Sequence, residues 1–106
     1  MTDREVYRKL AELVKCGTPV CLATIVETEG STPREVGAKM LVCVDGSQHG
    51  TVGGGCGENT VRSAAFRCLL STRNPELVEV QLRDELEMRE TDVCGGMMRV
   101  FVQPFQ

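Results

Sequence analysis

The sequence predicts an α/β fold in which a mixed β-sheet of about four or five strands is packed by two main helices, with a segregated α+β arrangement as the alternative. Three observations support this. An amphipathic segment with helical spacing opens the chain, an almost continuously apolar run follows it, and a second helical segment separates later stretches of strand character. The 106 residues and 42% hydrophobic content suit one compact core, so residues 1–106 are read as a single domain.

Thr2 and Glu5 have the spacing of a capping box, and Val6, Leu10, Leu13 and Val14 then recur at helical intervals. This predicts a helix over residues 3–15, stopped at Cys16-Gly17 and barred from continuing by Pro19. Residues 20–26 are apolar at nearly every position, as in a central strand covered on both faces. Residues 27–37 carry Gly30, Ser31, Pro33 and Gly37 and read as a loop. Strands are predicted at 38–44 and 48–52, joined by the hairpin signal Asp45-Gly46. A second helix is predicted over 58–70, ending before Asn74-Pro75. Residues 77–82 alternate, with Val78, Val80 and Leu82 on one face and Glu79 and Gln81 on the other, and a last strand is predicted over 97–102.

The net charge of −3 excludes a strongly basic nucleic-acid binder. Residues 83–92 hold Asp84, Glu85, Glu87, Glu90 and Asp92, either a solvated connection or a docking strip for a basic partner. No run approaches the ~18 apolar residues of a membrane span, and the first residues lack the apolar region of a secretory leader; the expectation is a cytoplasmic protein with no membrane partner. Six cysteines without a leader do not suggest a disulfide scaffold; Cys16, Cys43 and Cys68 fall in or beside apolar segments, where a thiol acts as a small hydrophobe. The lone His49 and the absence of a Cys-x-x-Cys pair argue against a zinc finger or ribbon.

The richest chemistry lies where a strand, a glycine run and a helix start follow one another between His49 and Leu70. Amides at a helix N-terminus are unsatisfied within the helix and carry the positive end of its dipole, and glycines let a ligand approach the backbone. The Walker phosphate loop fails because Cys56 stands where lysine is required, and the dinucleotide fingerprint fails for want of a third glycine in place. What replaces the lysine is a thiol at the helix start, an environment that favours thiolate and makes sulfur a nucleophile, a metal ligand or a sulfur carrier. Cys94, followed by Gly95-Gly96, is a second candidate of the same kind. The loop containing Ser31, Arg34 and Lys39 adds a hydroxyl, a guanidinium suited to phosphate and an amine.

These segments resemble the XdhC/CoxI family, the accessory factors of xanthine dehydrogenase and related molybdenum hydroxylases. The resemblance is carried by residues 23–26, by Gly30-Ser31-Thr32-Pro33-Arg34 with Gly37-Ala38-Lys39-Met40, by residues 50–56, and by Cys94-Gly95-Gly96 ahead of residues 100–102. It spans most of the chain and implies the N-terminal family domain, which family members commonly follow with a Rossmann-like domain. By resemblance, the protein binds molybdenum cofactor (molybdopterin) as cargo, protects it during sulfuration and helps insert it into a molybdenum hydroxylase apo-enzyme, with a homodimer and a cysteine desulfurase as further expectations. On that reading Gly53, Gly54, Gly55, Cys56 and Gly57 form the cofactor-binding loop, Arg34, Lys39 and Ser31 supplement it, and Cys56 is a candidate contact to molybdenum. The resemblance implies an accessory protein rather than a catalyst. Two other readings stay open: a thiol oxidoreductase or sulfurtransferase with Cys56 and Cys94 as catalytic residues, and an interaction module that docks on the hydroxylase through its acidic strip.

Overall fold

The computed structural model describes residues 1–53, 57–82 and 95–106. In chain order it contains α1 (Asp3–Lys15), β1 (Val20–Glu29), β2 (Lys39–Cys43), β3 (Gln48–Gly50), α2 (Glu58–Arg67), β4 (Glu76–Gln81) and β5 (Met97–Phe105). The five strands form one sheet in the order β3-β2-β1-β5-β4, with β1 at its centre as its composition predicts. This is the α/β architecture of five strands and two helices. Every pairing is antiparallel, however, rather than mixed. The reason lies in the connections: α2 carries the chain from β3 at one edge to β4 at the other, so the strands it joins are never neighbours.

The start and stop signals of α1 act as the sequence predicts. The Thr2 hydroxyl accepts from the Glu5 amide at 3.2 Å while the Glu5 carboxylate accepts from the Thr2 amide at 2.8 Å, a cap worth about 1 kcal/mol against alanine. At the other end the amides of Gly17 and Thr18 donate to the carbonyls of Val14 and Leu13, closing the helix in a Schellman motif with Gly17 left-handed. Val6 and Leu10 face the sheet and Leu13 packs beside them, whereas Val14, expected in the same stripe, is 44% exposed.

The two helices cover opposite faces of the sheet. Val6 and Leu10 pack with Val20, Leu22, Leu41 and Cys43 on the α1 side. On the α2 side Val61, Ala64, Ala65 and Leu69 pack with Cys21, Ala23, Ile25, Met40, Val42 and Val100. Alternate residues of β1 therefore enter two different clusters, which is why this strand lacks the alternation of a half-exposed one.

Four boundaries differ from the sequence expectation by two residues or more. β1 continues to Glu29, past the expected end at residue 26, because Glu27, Thr28 and Glu29 pair with Arg99, Met98 and Met97 after a register shift between Ile25 and Glu27. Arg99 bridges the strands there, reaching Glu27 at 2.5 Å and Glu79 at 3.1 Å. At the other end of the sheet, β5 runs past Val102 to Phe105. β4 begins opposite Val102, at Glu76, so beyond Val102 β5 is paired with β1 alone and Pro104 is tolerated. β3 ends at Gly50 rather than 52, and α2 widens after Arg67 into a π-helical turn over Cys68–Thr72.

Candidate functional site

The site elements meet at one end of the sheet. There β1, β3 and β4 end, β2 and β5 begin, and α2 starts. Three parts of the chain far apart in sequence touch in this region: residues 30–38 between β1 and β2, residues 51–53 and Gly57 between β3 and α2, and Gly95-Gly96 ahead of β5.

Their contacts are close enough to require glycine. A methyl group at Gly96 would overlap the carbonyl oxygens of both Glu29 and Ser31, and one at Gly30 would lie 3.1 Å from the Gly96 Cα. Gly53 has φ +133° and faces Pro33, whose ring occupies the space a side chain would take. Gly57 opens α2 with φ +81° and no capping side chain, against Val80, Leu82 and Met98. The Leu82 amide donates to the Gly96 carbonyl at 3.0 Å, tying the end of β4 into the same assembly.

Thr51 joins the parts. Its carbonyl accepts from the Arg34 guanidinium at 3.4 Å, and its hydroxyl accepts from the Gly53 amide at 2.9 Å while donating to the Glu58 carboxylate. One residue thus holds the Arg34 loop, the entrance to the glycine run and the first turn of α2. Beside it Thr32 donates to the Arg34 carbonyl at 3.0 Å, and an open depression of about 450 Å³ is lined by Asp3, Pro33, Arg34, Glu35, Val36 and Gly37, among others.

Among the residues expected at the site, Gly53, Gly57, Arg34 and Ser31 are brought to this end of the sheet. Ser31 contributes through its backbone packing on Gly96. Lys39 is at the same end but turned to α1: its amine donates to the Gly37 carbonyl at 2.7 Å, pairs with Asp3 at 3.2 Å and lies 5.6 Å from the centre of the Tyr7 ring. With its side chain 10% exposed, Lys39 anchors the loop to α1 rather than presenting a free charge. Gly54, Gly55, Cys56, Cys94 and the acidic strip at 83–92 lie outside the described residues. Thr51 and Glu58 were not expected as site residues, and Pro33 was expected only as part of the loop. Two signals were present for them: a threonine two residues before a glycine, the spacing of a side-chain turn, and an acid directly after the glycine that opens a helix.

Three of the four described thiols are shut away from solvent. Cys21, Cys43 and Cys68 are buried, and Cys16 is exposed at the end of α1. Burial pushes the Cys21 thiol far above the ordinary range, and the neighbouring Cys68 adds to the shift; its hydrogen bonds to the Ala65 carbonyl. A thiol held this way stays protonated and inert at neutral pH. Among the described residues, no three His, Cys, Asp or Glu side chains are grouped to hold a metal ion, and no helix is long and apolar enough to cross a membrane.

An antiparallel sheet between two helices, with glycine-dependent loops gathered at one end, defines a small α/β domain. The sequence model of the XdhC and CoxI family matches residues 13–81. The chain belongs to that family. It is 38% identical over 92% of its length to the uncharacterized protein YqeB of Escherichia coli K12, of which it covers 18%. It is 35% identical over 73% of its length to the molybdenum cofactor insertion chaperone PaoD of the same organism, of which it covers 25%. Among solved structures, a xanthine dehydrogenase from Bacillus halodurans superimposes over the whole chain with a TM-score of 0.83 and 32% identity, and the match covers 31% of that protein. The chain thus spans less than a third of the length of each of these relatives.

Proposed function

We propose that this chain is the cargo-receiving part of an accessory factor that binds molybdenum cofactor, shields it during sulfuration and delivers it to a molybdenum hydroxylase apo-enzyme. The observation that carries this reading is the meeting of the Arg34 loop, Thr51, Gly53 and Gly57, and Gly95-Gly96 at one end of the sheet. Similarity to the insertion chaperone PaoD and to a xanthine dehydrogenase supports the same cargo and the same kind of client.

The chemistry suits such a cargo. Molybdopterin carries a phosphate and sulfur-bound metal. The exposed Arg34 guanidinium, only one of whose nitrogens is bonded to Thr51, is a donor fork for the phosphate. The start of α2 supplies the positive end of a helix dipole over a glycine backbone. Cys56 and Cys94, adjoining Gly57 and Gly95 in sequence, supply soft sulfur for the metal or for sulfur in transit. Lys39 holds the loop that presents Arg34. The reading extends to a cytoplasmic homodimer that takes sulfur from a cysteine desulfurase.

Titration of purified molybdenum cofactor into the protein tests this reading. The wild type is expected to bind, and Arg34→Ala to weaken binding by about tenfold, the value of one charge-assisted contact. A wild type without affinity for the cofactor removes the proposal.

A further inference from the structure

Residues 32–34 cover Gly53 and are themselves held down by little. Gly53 is buried, and the three atoms nearest to a methyl group placed on it all belong to Pro33, so the proline ring is its cover on that side. The chain on either side of the cover is firmly held. Before it the Ser31 backbone packs against Gly96. After it the Ala38 amide donates to the Glu35 carbonyl at 3.1 Å, the Gly37 amide to the Ile25 carbonyl at 2.8 Å, and the Lys39 amine to the Gly37 carbonyl at 2.7 Å. Between these posts Pro33 and Arg34 are exposed, and the Thr32 hydroxyl donates to the Arg34 carbonyl, which ties the three residues to each other. Among the described residues, one hydrogen bond joins them to the 51–53 segment: Arg34 to the Thr51 carbonyl at 3.4 Å, longer than the usual range of about 2.7–3.2 Å. Pro33 and Arg34 also line the open depression beside Asp3, unfilled space into which they can move without displacing packed side chains.

We propose that residues 32–34 are a gate over Gly53, closed in this structure and opened by an oxyanion that takes the Arg34 guanidinium. A guanidinium holds a phosphate-like oxyanion through paired, charge-assisted bonds, which outweigh a single long bond to a neutral carbonyl. An anion at Arg34 therefore displaces the Thr51 contact. Because Arg34 follows Pro33 directly and is tied to Thr32, the three residues move together and the ring leaves Gly53 for the depression. Gly53 stands at the entrance to the glycine run, so its backbone becomes reachable only when the anion is present. What passes the gate rests on the cofactor reading above: the phosphate of the cargo releases it, and the bulk of the cargo then covers Gly53 in place of Pro33.

Residue-resolved amide hydrogen exchange at fixed pH and ionic strength tests the gate, with inorganic phosphate as the probe because it is too small to cover Gly53 itself. Phosphate is expected to speed exchange of the Gly53 amide about tenfold, the value of one hydrogen bond to a charged group, with the amides of β1 and β2 unchanged. Arg34→Ala should exchange fast at Gly53 without phosphate and show no further response to it. Pro33→Ala, which removes the ring, should also exchange faster there than the wild type. The gate is overturned if phosphate leaves Gly53 unaltered, if Gly53 is as slow in Arg34→Ala as in the wild type, or if β1 and β2 accelerate equally, which is loosening of the whole domain. Binding of molybdenum cofactor alongside any of these results removes the gate and leaves the cofactor reading standing. A gate that opens to phosphate in a protein without affinity for the cofactor does the reverse.

Discussion

Gly96→Ala is expected to cost about 3 kcal/mol or more and to abolish cofactor binding. The added methyl would meet the carbonyl oxygens of Glu29 and Ser31, which belong to backbone and cannot turn aside as a flexible side chain can. Relief requires either the end of β1 or the start of β5 to move, and these strands are paired residue by residue up to Glu29 and Met97. The same shift strains the Leu82 amide's bond to the Gly96 carbonyl. Chemical denaturation measures the loss. Gly95→Ala is the control, since nothing lies within 4 Å of a methyl at that position, and its stability should stay near that of the wild type. Equal stability of the two variants would show that the close approach is not what the site depends on.

Gly53→Ala is expected to cost about 2–4 kcal/mol, from a backbone conformation that side chains disfavour and from overlap with the Pro33 ring. Because Pro33 precedes Arg34, moving the ring also moves the guanidinium from the Thr51 carbonyl, so cofactor affinity should fall with stability. The two causes separate in a double mutant. Pro33→Ala removes the nearest ring carbon and leaves only the Cβ at 3.0 Å together with the backbone strain, so the pair should be more stable than Gly53→Ala alone. A double mutant no better than the single one would mean that Pro33 does not set the limit.

Local signals were legible where neighbours in sequence decide the structure. The capping box of Thr2 and Glu5, the stop at Gly17 and the apolar run of β1 each act within a few residues, and each forms as read. The extension of β1 over Glu27, Thr28 and Glu29 was not legible, because those residues are polar and become strand only by pairing with β5, some seventy positions later. The π-helical turn at Cys68–Thr72 and the exposure of Val14 likewise follow from packing rather than from periodicity.

The site was legible in its parts but not in its assembly. The glycine run and the Arg34 loop were marked by residue type. That Gly53 lies on Pro33 and Gly96 on Ser31 is a consequence of sheet order, which places the ends of β1, β3 and β4 together. Lys39 has the charge expected of an anion ligand, but strand register turns it to Asp3 and Tyr7. Thr51 and Glu58 gain their importance only once Arg34 is seen on the same residue.

Amide hydrogen exchange with and without molybdenum cofactor tests the central claim most directly, since it maps where the cargo sits without altering a residue. Protection is expected in residues 30–38, 51–58 and 95–98, with little change in α1 beyond its first turn or in the hairpin at Asp45-Gly46. Protection confined to that hairpin or to the outer face of α1, with the three converging segments unchanged, would contradict it.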